Sequence, residues 1–270
     1  MNIFKMEFKR GFKSLLLWAG ICAVLTVLFT LLYPSMLNSD MLALLNAKLE
    51  ALPTEFVDAF HLSSDDITQL PNFFAYMFQF ILMAACIYGT MRGLTALSRE
   101  EGEGTIEFLY AKPVSRVQIV TAKLANAAVG YFCFFAVISI AAVLSGLCVR
   151  PADLDLIDMT ASFKTILLGG MIAGFTYLLL GFAVSVLLKK ANHAASMAVM
   201  LFFLTYIVGS IPSITGVLDF LKWVSPMNYF LPSEVVASGI NGINVLISVL
   251  IMGVSAALTY GLYRRRNFYV

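Results

Sequence analysis

Six stretches of the chain carry apolar side chains almost without interruption, at about 14–33, 72–91, 123–149, 165–188, 194–214 and 245–263. None holds an acidic or basic residue away from its ends. Each is close to the roughly 20 residues a helix needs to cross about 30 Å of hydrocarbon. Lipid offers the backbone no hydrogen-bond partners, so a helix, which satisfies its own, is predicted for all six. The first has a basic flank but is long for a signal peptide. No small-x-small cleavage pattern follows it at Tyr33-Pro34-Ser35, which predicts a retained helix. The expected fold class is an all-α membrane protein with six transmembrane helices in a single domain over 1–270.

The segments between the spans carry patterns of their own. Phe4, Phe8, Phe12 and Leu15 recur on one helical face, with Lys5, Lys9, Arg10 and Lys13 over much of the rest. This predicts an amphipathic interfacial helix over 1–13, lying along the inner leaflet. The connection 34–71 is predicted as an outer loop with a second amphipathic stretch, where Leu42, Leu45, Leu49 and Leu52 follow Asp40. Its Asp58, His61, Asp65 and Asp66 read as solvated surface, and no metal site is assigned. The connection 215–244 mixes Phe220, Trp223, Pro226, Tyr229, Phe230 and Pro232, a composition suited to broken, re-entrant helices dipping into the membrane from outside. Within the spans, Gly170 and Gly174, and the stripe Gly253, Ala257 and Gly261, are expected to let helices pack closely, within or between subunits. Gln79 is the most polar side chain at depth. An interhelical hydrogen bond and a place on a substrate path are the two readings of it.

Composition adds what the pattern leaves open. The chain is 60% hydrophobic and 13% charged, against about 45–50% and 25% for soluble domains. A soluble globule, a disordered chain and a collagen-like or disulfide-stapled scaffold are excluded, and nothing favours a nucleic acid as partner. Cys22, Cys86, Cys133 and Cys148 show no CxxC spacing and read as packing residues. Placing both termini in the cytoplasm puts fourteen basic and five acidic residues inside, and four basic and eleven acidic residues outside. The resulting +9 and −7 agree with the tendency of Lys and Arg to stay on the inner side.

The stretch 98–116 is the most informative. Gly102 and Gly104 permit a break, Thr105 caps a short helix with Ile106, Leu109 and Tyr110 on one face, and Pro113 ends it. Ser115 and Gln118 then form a capping box for the third span. A short helix held at the ends of two transmembrane helices is shaped to be gripped by another protein. With Glu101, Gly104, Thr105, Leu109, Pro113, Ser115, Arg116 and Lys123 in this order, and with six spans around them, the chain resembles the membrane (permease) subunits of ABC transporters of the type 2 export class. The resemblance covers essentially the whole chain. It implies a cytoplasmic coupling helix between spans two and three that sits in a groove of a separate ATP-binding subunit. Glu100, Glu101, Gly104, Thr105, Ile106, Phe108, Leu109 and Arg116 are then the expected contacts. It further implies two copies of that subunit, carrying ATP and magnesium, and a second permease subunit, identical or homologous.

Motifs that do not occur point the same way. There is no G-x-x-x-x-G-K-[ST] phosphate loop, no H-E-x-x-H and no G-x-S-x-G, so no catalysis and no cofactor are assigned to this chain. Uncharged span interiors disfavour an ion-coupled secondary transporter. A non-translocating receptor or immunity protein remains the other alternative to an exporter of a lipophilic drug, antimicrobial peptide or lipid-like molecule in the plasma membrane.

Overall fold

The computed structural model describes residues 3–37, 47, 68–102, 115–188, 193–215 and 218–265. Among them the regular structure is entirely helical. The helices are α1 (Ile3–Leu31), α2 (Tyr33–Met36), α3 (Leu70–Gly102), α4 (Arg116–Val149), α5 (Leu156–Ser185), α6 (Ala194–Thr215), α7 (Pro232–Ser238) and α8 (Gly242–Arg265), with two 3-10 turns, Asp219–Val224 and Asn228–Phe230, between α6 and α7. Six of them, α1, α3, α4, α5, α6 and α8, are long and apolar enough to cross a membrane, and they coincide with the six stretches read from the sequence.

Several helices outrun those stretches. The 33 residues of α3 and 34 of α4 extend about 50 Å each at 1.5 Å per residue, well beyond the hydrocarbon thickness of a bilayer. α5 also begins early, at Leu156, where Asp155 accepts from the Ile157 amide and relieves one of the unpaired donors of the first turn. The basic segment at the N-terminus is not set off from the first span, because Ile3–Leu31 is one uninterrupted helix. No proline interrupts it, and Asn126 and Lys123 of α4 bond to Phe4 and Glu7 and hold its first turns against the bundle.

At the centre, α3 packs along α5 over the most extensive helix interface among the described residues, α1 packs along α4, and α8 lies against α5. Helices dissolved in lipid gain little from hiding apolar area from one another, so close backbone approach matters more. The α3/α5 contact achieves it with glycine. A Cβ added at Gly93 would stand 2.1 Å from the Leu178 carbonyl oxygen and 2.6 Å from the Phe182 nitrogen, and one at Gly181 would stand 2.4 Å from the Thr90 carbonyl oxygen. Around this crossing the core is aromatic. Phe74 stacks on Phe163 with centroids 4.0 Å apart, and Tyr88, Tyr131, Phe134 and Phe135 fill the space between α3, α4 and α5.

The perimeter is inverted relative to a soluble protein. On α8, Ser248, Ser255 and Thr259 are buried, while Leu246, Leu250, Val254, Leu258 and Leu262 are exposed. α1 similarly exposes Leu17, Ile21, Val24 and Leu28. Apolar residues outside and small hydroxyls inside are the arrangement hydrocarbon solvent favours.

Candidate functional site

The connection between α3 and α4 is delivered by two helices that project past the apolar zone. On the α4 side its end is fixed locally. The Ser115 hydroxyl accepts from the Gln118 amide at 3.2 Å, and the Gln118 side chain accepts from the Ser115 amide at 3.0 Å, completing the reciprocal cap. Next to it, Arg116 donates through Nη1 to the Arg264 carbonyl at 3.1 Å and the Tyr263 carbonyl at 3.5 Å. A cation there satisfies carbonyls that the end of α8 leaves unpaired and opposes the negative end of its dipole. Of the expected partner contacts, Gly104, Thr105, Ile106, Phe108 and Leu109 lie outside the described residues. Glu100 and Glu101 belong to the last turn of α3.

Immediately below this connection, α1, α3 and α4 enclose a polar cluster. Lys123 donates to Glu7 at 3.2 Å, with the two side chains 2% and 10% exposed, and to the Ala96 carbonyl at 2.8 Å. Arg92 donates through Nη2 to Asn126 Oδ1 at 3.3 Å, and Asn126 donates to the Phe4 carbonyl at 3.3 Å. The guanidinium lies between two glycines: a Cβ at Gly11 would stand 2.3 Å from its Nη1, and one at Gly130 would stand 2.4 Å from its Nη2. With Thr95 and Arg99, these groups line a cavity of about 20 Å³, enough for one water molecule. The buried pair ties the start of α1 to the base of the α3/α4 hairpin, and removing one partner of such a pair typically costs about 3–5 kcal/mol.

The opposite end is built without a comparable ion pair among the described residues. After α6 the chain turns back, and Ser225 sits against Gly209, where a Cβ would approach its Cβ to 2.4 Å. Gly209 lies six residues before Thr215, or about 9 Å back along α6 from its end. Phe230 and Val235 pack on Gly169 of α5. Neutral bonds hold the segment: Ser225 to Asn228 at 3.2 Å, Asn244 to the Tyr229 carbonyl at 2.9 Å, and Tyr229 to the Trp223 carbonyl. Lys222, Trp223, Asn228, Tyr229, Glu234 and Asn244 border a cavity of about 300 Å³.

The family described as ABC-2 family transporter protein matches residues 1–268. The chain belongs to this family. It is the membrane (permease) subunit of a transporter, a multi-pass protein whose family implies an ATP-binding partner subunit. Among curated proteins, none matches it.

Within the permease, the other residues singled out from the sequence separate. Gly170 faces Leu82, Phe135 and Phe78, and Gly174 faces the Tyr131 hydroxyl, all within the subunit. Gly253, Ala257 and Gly261 are exposed on α8, and the two glycines have nothing within 4 Å of an added Cβ. Gln79 is buried within the packed face of α3. Asp58, His61, Asp65 and Asp66 lie outside the described residues, among which no group of His, Cys, Asp and Glu is arranged to hold a metal.

Two features were missed in the sequence. One is the pair Gly89 and Gly93, four apart in Gly-Thr-Met-Arg-Gly, which carries the same small-xxx-small signal as Gly170 and Gly174. The other is the cluster of Glu7, Arg92, Lys123 and Asn126. Its signals were Glu7, a lone carboxylate among Lys5, Lys9, Arg10 and Lys13, and Lys123, singled out only as the last residue of the family pattern.

Proposed function

We propose that this permease subunit forms the membrane path of an ATP-driven exporter, with the basic end of the bundle in the cytoplasm and the 215–244 segment re-entrant from the outer side of the plasma membrane. Two ATP-binding subunits, which carry ATP and magnesium, close and reopen beneath a pair of permease subunits. The 103–114 connection, with Glu100, Glu101 and Arg116 at its flanks, is the coupling element in their grooves. ATP binding stabilises one of two states of the membrane bundle, and the linkage is only as strong as the difference in contacts between those states.

One observation carries this reading. α3 and α4 run as continuous helices well past a bilayer's thickness on either side of the connection, so a force delivered to their ends is carried along two long levers. The buried Glu7–Lys123 pair adds α1 to the same unit. A path through spans whose interiors carry no fixed charge favours a lipophilic drug, an antimicrobial peptide or a lipid-like molecule as cargo.

The test uses the assembled complex in liposomes. Glu101→Ala combined with Leu109→Asp is expected to abolish cargo-stimulated ATP hydrolysis while each subunit remains folded. Undiminished stimulation in a correctly assembled complex would overturn this placement of the contact.

A further inference from the structure

We propose that Arg92 binds the phosphate group of an anionic phospholipid from the leaflet at the basic end of the bundle, in the crevice between α1, α3 and α4. The inference starts from an imbalance of charge. Arg92 and Lys123 line the crevice beside the carboxylate of Glu7, and Lys123 takes that carboxylate at 3.2 Å. Arg92 has a neutral acceptor instead, Asn126 Oδ1 at 3.3 Å. Its Nε is buried, and among the described residues it has no acceptor.

A guanidinium so placed is costly to keep without an anion, because its buried Nε forfeits the hydrogen bond that water would give it. A guanidinium donates strongly to a phosphate oxygen, and here it is held in place before any ligand arrives. Gly11 on one side and Gly130 on the other hold the guanidinium in a slot with no side chain on either glycine to displace it. The cavity of about 20 Å³ admits one oxygen, not a whole free anion, so the rest of the ligand must stay outside the crevice, as a lipid headgroup at the helix surface would. Lys5, Lys9 and Lys13, on the same end of α1, add attraction for an anionic leaflet, where basic crevices between helices are established headgroup sites. The assignment rests on the orientation proposed above only in naming the leaflet as the inner one. The coupling experiment can fail without affecting it.

The experiment measures thermal unfolding of the full chain in nanodiscs of phosphatidylcholine with rising fractions of phosphatidylglycerol. A rise in Tm that saturates with phosphatidylglycerol is expected for the parent chain. Arg92→Gln should need about tenfold more of that lipid for the same rise, the loss expected when one charge-assisted contact is removed. Gly130→Ala keeps every charge but displaces Nη2, so it should weaken the response too, and it keeps the test decisive if Arg92→Gln does not fold. The exposed Lys13→Gln should retain the response. An equal response in the parent chain and both crevice variants would overturn the site, as would a loss at Lys13→Gln matching that at Arg92→Gln, which would mean diffuse surface charge. Stabilisation by inorganic phosphate in pure phosphatidylcholine, equal to that by the lipid, would overturn the lipid as its source.

Discussion

Gly89 and Gly93 on α3 and Gly253 and Gly261 on α8 belong to the same kind of small-residue pattern, yet they end in opposite surroundings. The first pair meets the backbone of α5 so closely that a Cβ at Gly89 would lie 2.8 Å from the Gly174 carbonyl oxygen and one at Gly93 would lie 2.1 Å from that of Leu178. The second pair is exposed and meets nothing. Spacing says that a helix face is flat. What covers the face is decided by everything else in the bundle. Along α3 and α5 large aromatic residues flank the glycines and interlock across the helices, whereas the outward face of α8 carries Leu and Val at lipid-facing positions.

The largest expected effect breaks the first seam. In Gly93→Val the new atoms collide with backbone, which cannot rotate aside, so thermal unfolding of the purified subunit should show a loss above about 3 kcal/mol, beyond the usual range for overpacked cores. A Tm within a degree or two of the parent would refute the close crossing. A smaller effect is expected of Gly174→Ala, whose methyl group would come 1.7 Å from the Tyr131 hydroxyl. That hydroxyl is buried and has no partner among the described residues. Tyr131→Phe should therefore be neutral or stabilising, since an unsatisfied buried group costs about 1–3 kcal/mol, and the double variant should recover part of what Gly174→Ala loses, the ring Cζ still standing 2.5 Å from the new methyl. Additive losses would show that the hydroxyl is not the obstacle. The smallest effect belongs to α8. Gly253→Ala and Gly261→Ala should leave the isolated subunit unchanged or raise its stability by up to about 1 kcal/mol each, the difference in helix propensity. Destabilisation of the isolated subunit would contradict the open face.

The six spans were legible because hydrocarbon imposes a continuous apolar stretch, and the capping box was legible because Ser115 and Gln118 are three residues apart. Helix ends were less so. Beyond Met91 the sequence turns polar with Arg92 and Arg99, and before Lys123 it carries Arg116, Gln118 and Thr121. The helices nevertheless continue, because their backbones need lipid on only part of their length. The basic, amphipathic start of the chain read as a separate helix, although nothing in 11–15 forces a break and a partner on α4 holds it straight. The polar cluster was the hardest feature to anticipate. Glu7 and Lys123 are 116 residues apart, and no local pattern reports a contact that only the packing of α1 on α4 creates. Gly89 and Gly93 were within reach, but the stretch containing them reads first as the charged flank of a span.

The account depends on the 103–114 connection being the cytoplasmic handle of the permease, and Ile106→Cys in a Cys148→Ser background tests this directly. In intact cells that thiol should be protected from a membrane-impermeant reagent, and in the assembled complex a bifunctional thiol- and amine-reactive reagent with a reducible disulfide spacer should link it to the ATP-binding subunit and halt hydrolysis until the spacer is reduced. Rapid labelling from the external medium, with no cross-link to that subunit, would contradict the account.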